Sequence, residues 1–128
     1  MRISQADWDE LVAHAREDAP NECCGFLWAE DGAVKGVKRA ENPRKSPYGY
    51  EFDFPTLSAV NELDEQYQVG TYHSHPRSSA KPSQTDINLA NYPDWLYVIV
   101  SLDGDPTVRA WWIRDGRVEE EPLDVVEA

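Results

Sequence analysis

The chain has 128 residues, enough for one domain with its own core and for no more than one. Its 24 acidic against 12 basic side chains leave a net charge of −12, which repels phosphate backbones and anionic lipid and argues against nucleic acid or membrane as a partner. No apolar run approaches the roughly 18 residues of a membrane span, and the polar start Met1-Arg2-Ile3-Ser4 lacks the apolar centre of a signal peptide, so a cytoplasmic protein is expected. The two cysteines, Cys23 and Cys24, are adjacent, which excludes a disulfide framework and fits a reducing compartment. The acidity also fits a salt-adapted source.

Taken in chain order, Ser4 caps a helix over 4–18, with Asp7 in the capping-box position. Trp8, Leu11, Val12 and Ala15 share one face of it, and His14 is expected in solvent. Cys23 to Ala29 reads as a buried strand, Asp31-Gly32 as a hairpin turn and Ala33 to Arg39 as the return strand. Residues 42–49 are loop, marked by Asn42-Pro43, Pro47 and Gly49. Tyr50 to Phe54 alternates aromatic and acidic side chains, as a half-exposed strand does. Pro55 opens a second helix reaching Tyr67. Val69 to His75 is a strand, Pro76 to Pro82 a polar loop, and Ser83 starts a short helix to about Asn91. Leu96 to Ser101, Val108 to Ile113 and Arg117 to Glu121 read as closing strands. The pattern is mixed α/β (α+β): one curved mixed sheet flanked by helices, a single domain over 1–128. Trp111 and Trp112 face opposite ways on a strand, so at least one is core or interface, and an exposed one would mark a homodimer contact.

His73 and His75 carry the chemistry. Two apart on a strand, they point to one face and converge as a metal requires. Seven residues of loop follow, then Ser83 and Asp86, the latter in the first turn of a helix. Two histidines, one carboxylate and an open fourth position form a catalytic zinc set, which lowers the pKa of bound water to about 7 and polarises a carbonyl. Such a site needs a proton acceptor, for which Glu22, just before the first buried strand, is the candidate. The Ser83 hydroxyl can donate to an oxyanion. Alone, a histidine is more often a satisfied core or surface residue, and Ser-x-x-Asp is usually only a helix cap. Joined, His-x-His-x₇-Ser-x₂-Asp should arise by chance in such a chain on the order of once in several thousand. A zinc deaminase would need His-x-Glu and Pro-Cys-x-x-Cys, and neither is present.

Through Glu22, His73-Ser74-His75-Pro76 and Pro82-Ser83-Gln84-Thr85-Asp86, the chain resembles the JAMM, or MPN-plus, family of zinc isopeptidases. The resemblance implies one zinc ion per chain held by His73, His75 and Asp86, with Glu22 as general acid/base and Ser83 as oxyanion donor. It also implies the JAMM/MPN fold, a cytidine-deaminase-like curved sheet with helices on both sides. His14-Ala15-Arg16, Pro20-Asn21-Glu22-Cys23-Cys24-Gly25 and Tyr50-Glu51-Phe52-Asp53 look like its small prokaryotic single-domain branch, above all the CysO-cysteine peptidases. Those release cysteine from the Gly-Gly terminus of a ubiquitin-like sulfur carrier, in cysteine biosynthesis. Relatives that strip ubiquitin-like modifiers from lysines share the same core motif. A non-catalytic module binding ubiquitin-like proteins is the alternative of another class. A Gly-Gly tail is thin enough to add beside an exposed strand, and Tyr50 and Phe52 on the expected strand 50–54 are candidates for holding it. Gly25 suggests a close backbone approach, and the two cysteines read as small buried residues.

Overall fold

A computed structural model describes residues 1–127. The elements run β1 (Arg2–Ser4), α1 (Gln5–Asp18), β2 (Cys24–Glu30), β3 (Ala33–Ala40), α2 (Phe54–Asp64), β4 (Gln68–His75), α3 (Gln84–Leu89), β5 (Leu96–Ser101), β6 (Thr107–Arg114), β7 (Arg117–Glu121) and β8 (Asp124–Val126). The eight strands form one mixed sheet in the order β7-β6-β5-β4-β2-β3-β1-β8. β2 pairs antiparallel with β3 and β4, whereas β4 and β5 are parallel, joined by the crossover through α3. No helix among the described residues is long and apolar enough to cross a membrane.

The period-2 alternation of the strands splits the apolar side chains between two cores, one on each face. On the α1 face, Leu11, Val12 and Ala15 pack against Leu27, Tyr72, Leu96, Val98 and Val100. On the α2 face, Val60 packs with Phe26, Val69, Trp95, Tyr97, Ile99, Trp111 and Ile113. Burying the middle strands on both faces makes them nearly continuous apolar runs: every residue of β5 is buried. Trp111 lies in the second core and Trp112 packs, half-buried, against the first, with the Arg114 guanidinium 4.9 Å from its ring centre. Neither tryptophan stands exposed.

Local chemistry sets the helix starts. Ser4 caps α1, its hydroxyl accepting from Asp7 N, and Asp53 caps α2, its carboxylate accepting from Thr56 N, with Pro55 in the first turn. This second cap corrects the expected strand over 50–54. Asp53 already belongs to the helix start, Phe54 is helical, and residues 50–53 have no ladder partner. The alternation of aromatic and acidic side chains reflects a loop that turns its rings inward, not a pleat. β1 and β8 were absent from the expected pattern; they are three-residue strands that pair with each other in parallel.

The second correction concerns His14. It is buried, its Nδ1 lies 2.7 Å from the Tyr72 hydroxyl, and its Nε2 lies 3.4 Å from Asp18. Gly25 makes room for that contact, since a Cβ there would collide with the Tyr72 ring and the Lys38 carbonyl. The close approach expected at Gly25 is therefore made by a tyrosine ring. We predict that Gly25→Ala lowers stability by about 1–3 kcal/mol, read as a shifted denaturation midpoint at constant slope. Burial holds the His14 imidazole below its ordinary value of 6.5, with Asp18 opposing. The unfolded chain thus binds this proton more readily, so the contribution of His14 is complete above pH 6.5 and is lost as the pH falls through the lower folded value. His14→Gln should accordingly show a shallower loss of stability below pH 6.5 than the parent.

Candidate metal centre

The site lies at the C-terminal end of β4. His73 and His75 are both buried and both point to the α2 face, their Nε2 atoms 3.2 Å apart. The loop after His75 returns the chain to α3, whose N-cap is Ser83. A full capping box forms there: Ser83 Oγ accepts from Asp86 N at 3.1 Å, and Asp86 Oδ2 accepts from Ser83 N at 2.9 Å. That box aims the Asp86 carboxylate back at the strand, with Oδ1 3.1 Å from His73 Nε2 and Oδ2 3.0 Å from His75 Nε2. One ligand atom from each of the three residues falls within 4.8 Å of the others.

This donor set fits a zinc ion. Two nitrogens aimed at one another cannot both carry protons without repulsion, and a cation between them and the carboxylate resolves that crowding. The Nδ1 of His75 faces the Ser79 carbonyl at 2.7 Å, which fixes the proton there and leaves Nε2 as a lone-pair donor. Burial would raise the Asp86 carboxyl, but the imidazoles of His73 and His75 and the Ser83 N–H more than offset it, leaving it far below the usual range. Burial also pulls the His75 imidazole down, and the Asp86 carboxylate and Ser79 carbonyl overcome this and hold it up.

Glu22 reaches the site through the sheet register. β2 and β4 pair Cys24 with His73. Beyond the ladder, Cys23 N donates to Ser74 Oγ and Ser74 N to the Cys23 carbonyl, so the next step sets Glu22 opposite His75. Glu22 is 6% exposed, and its Oε1 is buried without a hydrogen-bond partner among the described residues. Burial pushes its carboxyl up to about 7, with His75 opposing. A buried carboxylate oxygen without a donor is costly, so the geometry leaves it free for a proton from outside the protein. Cys23 and Cys24 are buried free thiols pushed up to about 12 by burial, hence poor thiolates.

Two pockets adjoin the centre. The first, about 240 Å³, runs past His73 and Asp86 and is walled by Tyr50, Phe52, Leu57, Leu89, Trp95 and Tyr97. Tyr50 stacks on the His73 ring at 4.6 Å and meets Phe52 edge-on at 5.6 Å. The second, about 380 Å³, is walled by Glu22, His75, Arg77, Ser78, Tyr48 and three prolines. Ser83 is exposed, and its hydroxyl oxygen is held by the cap while its own proton stays free to donate.

The loop carrying Tyr50 is fastened by Asn42, which in the sequence marks no more than a turn. Asn42 is buried; its amide donates to the carbonyls of Glu22 (3.1 Å) and Gly49 (3.0 Å), and its oxygen accepts from Arg44 N and Glu51 N (both 3.2 Å). Asn-Pro signals a turn, but nothing in one sequence signals which distant backbone its side chain will bind.

The chain is similar to known proteins in sequence and in fold. The model of a family described as prokaryotic homologues of the JAB domain matches residues 4–114. The chain is 40% identical over 126 residues to the CysO-cysteine peptidase of Mycobacterium tuberculosis, covering 91% of this chain and 85% of that one. It is 36% identical over 113 residues to the desampylase of Haloferax volcanii, covering 80% and 81%. Among solved structures, a protein from Desulfitobacterium hafniense superposes with a TM-score of 0.85 at 32% identity, covering 99% of this chain and 93% of that one. A JAB1/MPN domain protein from Archaeoglobus fulgidus superposes with a TM-score of 0.64 at 21% identity, covering 99% and 100%, and shares the fold.

Asn42→Ala should cost about 1–3 kcal/mol and speed hydrogen exchange at the amides of Arg44 and Glu51. Asn42→Asp keeps the acceptor and loses the donors, so those two amides should stay protected.

Proposed function

The chain belongs to the family of prokaryotic homologues of the JAB domain, and from that membership together with the geometry of the site we propose that it is a zinc-dependent peptidase. It hydrolyses the amide bond after the C-terminal Gly-Gly of a ubiquitin-like sulfur-carrier protein and releases cysteine. The observation that carries the hydrolytic reading is the unpartnered, buried Glu22 Oε1 beside the group His73, His75 and Asp86. A domain that only binds has no use for a carboxylate left so costly and so placed.

In this reading His73, His75 and Asp86 hold one zinc ion, which supplies a water made acidic near neutral pH and a polarised carbonyl. Glu22 accepts a proton from the attacking water and returns it to the leaving nitrogen as the C–N bond breaks. The Ser83 hydroxyl donates to the oxygen on which negative charge develops. The aromatic pocket beside His73 receives the carrier tail, and because residues 50–53 form no strand, Tyr50 and Phe52 hold it by ring contacts. Cysteine as the leaving group is supported by the CysO-cysteine peptidase, which exceeds the desampylase in both identity and coverage. Release of a lysine-linked modifier is the second reading, and the desampylase supports it.

Glu22→Gln should bind stoichiometric zinc, measured by elemental analysis, and lose cleavage of a carrier–cysteine conjugate by about 10²–10⁴-fold. Asp86→Ala should lose the metal. Retained turnover in Glu22→Gln removes the assigned role, and a parent protein without stoichiometric zinc removes the metallopeptidase. Tyr50→Ala and Phe52→Ala should each weaken turnover of the carrier conjugate, and unchanged kinetics in both would remove the tail contact.

A further inference from the structure

We propose that the pocket beside Glu22 and His75 is the leaving-group subsite, and that Arg77 selects there a single amino acid bearing a free α-carboxylate; this deepens the reading above and rests on it. The proton path fixes which side of the centre the leaving group occupies. The carboxyl that protonates the departing nitrogen must lie within hydrogen-bond reach of it. Glu22 and His75 line this pocket, whereas the aromatic pocket is lined by His73 and Asp86 and not by Glu22. The departing amine therefore sits with Glu22, and the acyl tail with Tyr50 and Phe52.

The walls of this pocket suit a carboxylate. Arg77 lines it, is exposed, and makes no ion pair or side-chain hydrogen bond among the described residues. Its guanidinium can offer a carboxylate two parallel N–H donors. The charge around it is unusual for this chain. Residues 42–49 and 76–82, the two loops that supply Tyr48, Arg77 and Ser78, carry Arg44, Lys45, Arg77 and Lys81 and no acidic residue, against 24 acidic residues in the whole chain. Arg39 and Arg109, by contrast, are taken up by Glu10, Glu17 and Glu120. Among the residues that line the pocket Arg77 supplies the cationic contact for an anionic leaving group, in a protein of net charge −12. An amino acid joined through its α-amine carries its carboxylate two bonds from the departing nitrogen. A lysine joined through its side-chain amine carries its α-carbonyl several bonds away, normally within a peptide bond.

The test compares three conjugates of one Gly-Gly carrier: with cysteine, with cysteinamide, and with lysine through its side-chain amine. The zinc-loaded parent should cut the free-acid cysteine conjugate at least about tenfold more efficiently than the amide. Arg77→Gln should erase that preference by slowing the acid alone, and Arg77→Lys should restore part of it. Binding of N-acetyl-S-methylcysteine to the zinc-loaded Glu22→Gln protein gives a readout without turnover. It should shift the amide resonances of Arg77 and Ser78 and weaken at least about tenfold when Arg77→Gln is added. Equal cutting of acid and amide by the parent, or an equal loss on both in Arg77→Gln, overturns the assignment while the peptidase stands. Preference for the lysine conjugate overturns it in favour of a modifier-removing enzyme. Cutting of none of the three overturns the peptidase and this subsite together.

Discussion

The pairing of β2 with β4 is the constraint on which the site depends. Cys24 opposite His73 fixes everything at that end of the sheet: Ser74 against Cys23, Glu22 against His75, and the Gly25 gap under the Tyr72 ring. A slip of one residue would turn the two imidazoles to the α1 face and carry Glu22 away from them. The register is secured on both faces, because Leu27 and Tyr72 belong to one core while Phe26 and Val69 belong to the other. Stability and chemistry thus share one set of backbone hydrogen bonds. Only Asp86, the third member of the group, comes from outside the sheet, and the reciprocal cap between Ser83 and Asp86 positions it.

From that geometry the function follows in steps. Two imidazoles and a carboxylate crowd their donor atoms together as a cation requires. A carboxyl held up by burial stands beside them with an unused oxygen. An aromatic pocket adjoins His73 and Asp86, and a second pocket lined by Arg77 adjoins Glu22 and His75, so the two sides offer different chemistry. The loop 42–51 serves both sides: Asn42 ties it to the Glu22 carbonyl, Tyr50 lies against His73, and Tyr48 faces the second pocket. Displacing that loop would disturb the surroundings of Glu22 and of His73 at once.

Much of this was legible in the sequence. Residues two apart on a strand share a face, so His73 and His75 had to converge, and Ser83 followed by Asp86 announced the cap that aims the carboxylate. Glu22 could be named as a candidate from its place before the first buried strand and from the resemblance, but its position opposite His75 could not, because strand register is a tertiary property and a separation of 51 residues carries no geometry. Tyr50 to Phe54 misled because rings turned into a pocket from a loop reproduce the alternation of a strand. His14 misled because its polarity outweighed its place next to Ala15 on the inner side of α1; its partner, the Tyr72 hydroxyl, comes from β4. The short strands β1 and β8 hold too few residues to show a period, and Asn42 gave no sign of the four backbone groups it binds.

The central claim is that register and cap together make one zinc site from His73, His75 and Asp86, with the adjacent thiols excluded. X-ray absorption at the zinc edge of the purified protein tests it most directly. The account predicts a first shell of nitrogen and oxygen at about 2.0–2.2 Å, with the outer-shell scattering of two imidazoles. A sulfur scatterer at about 2.3 Å would place Cys23 or Cys24 on the metal and contradict it.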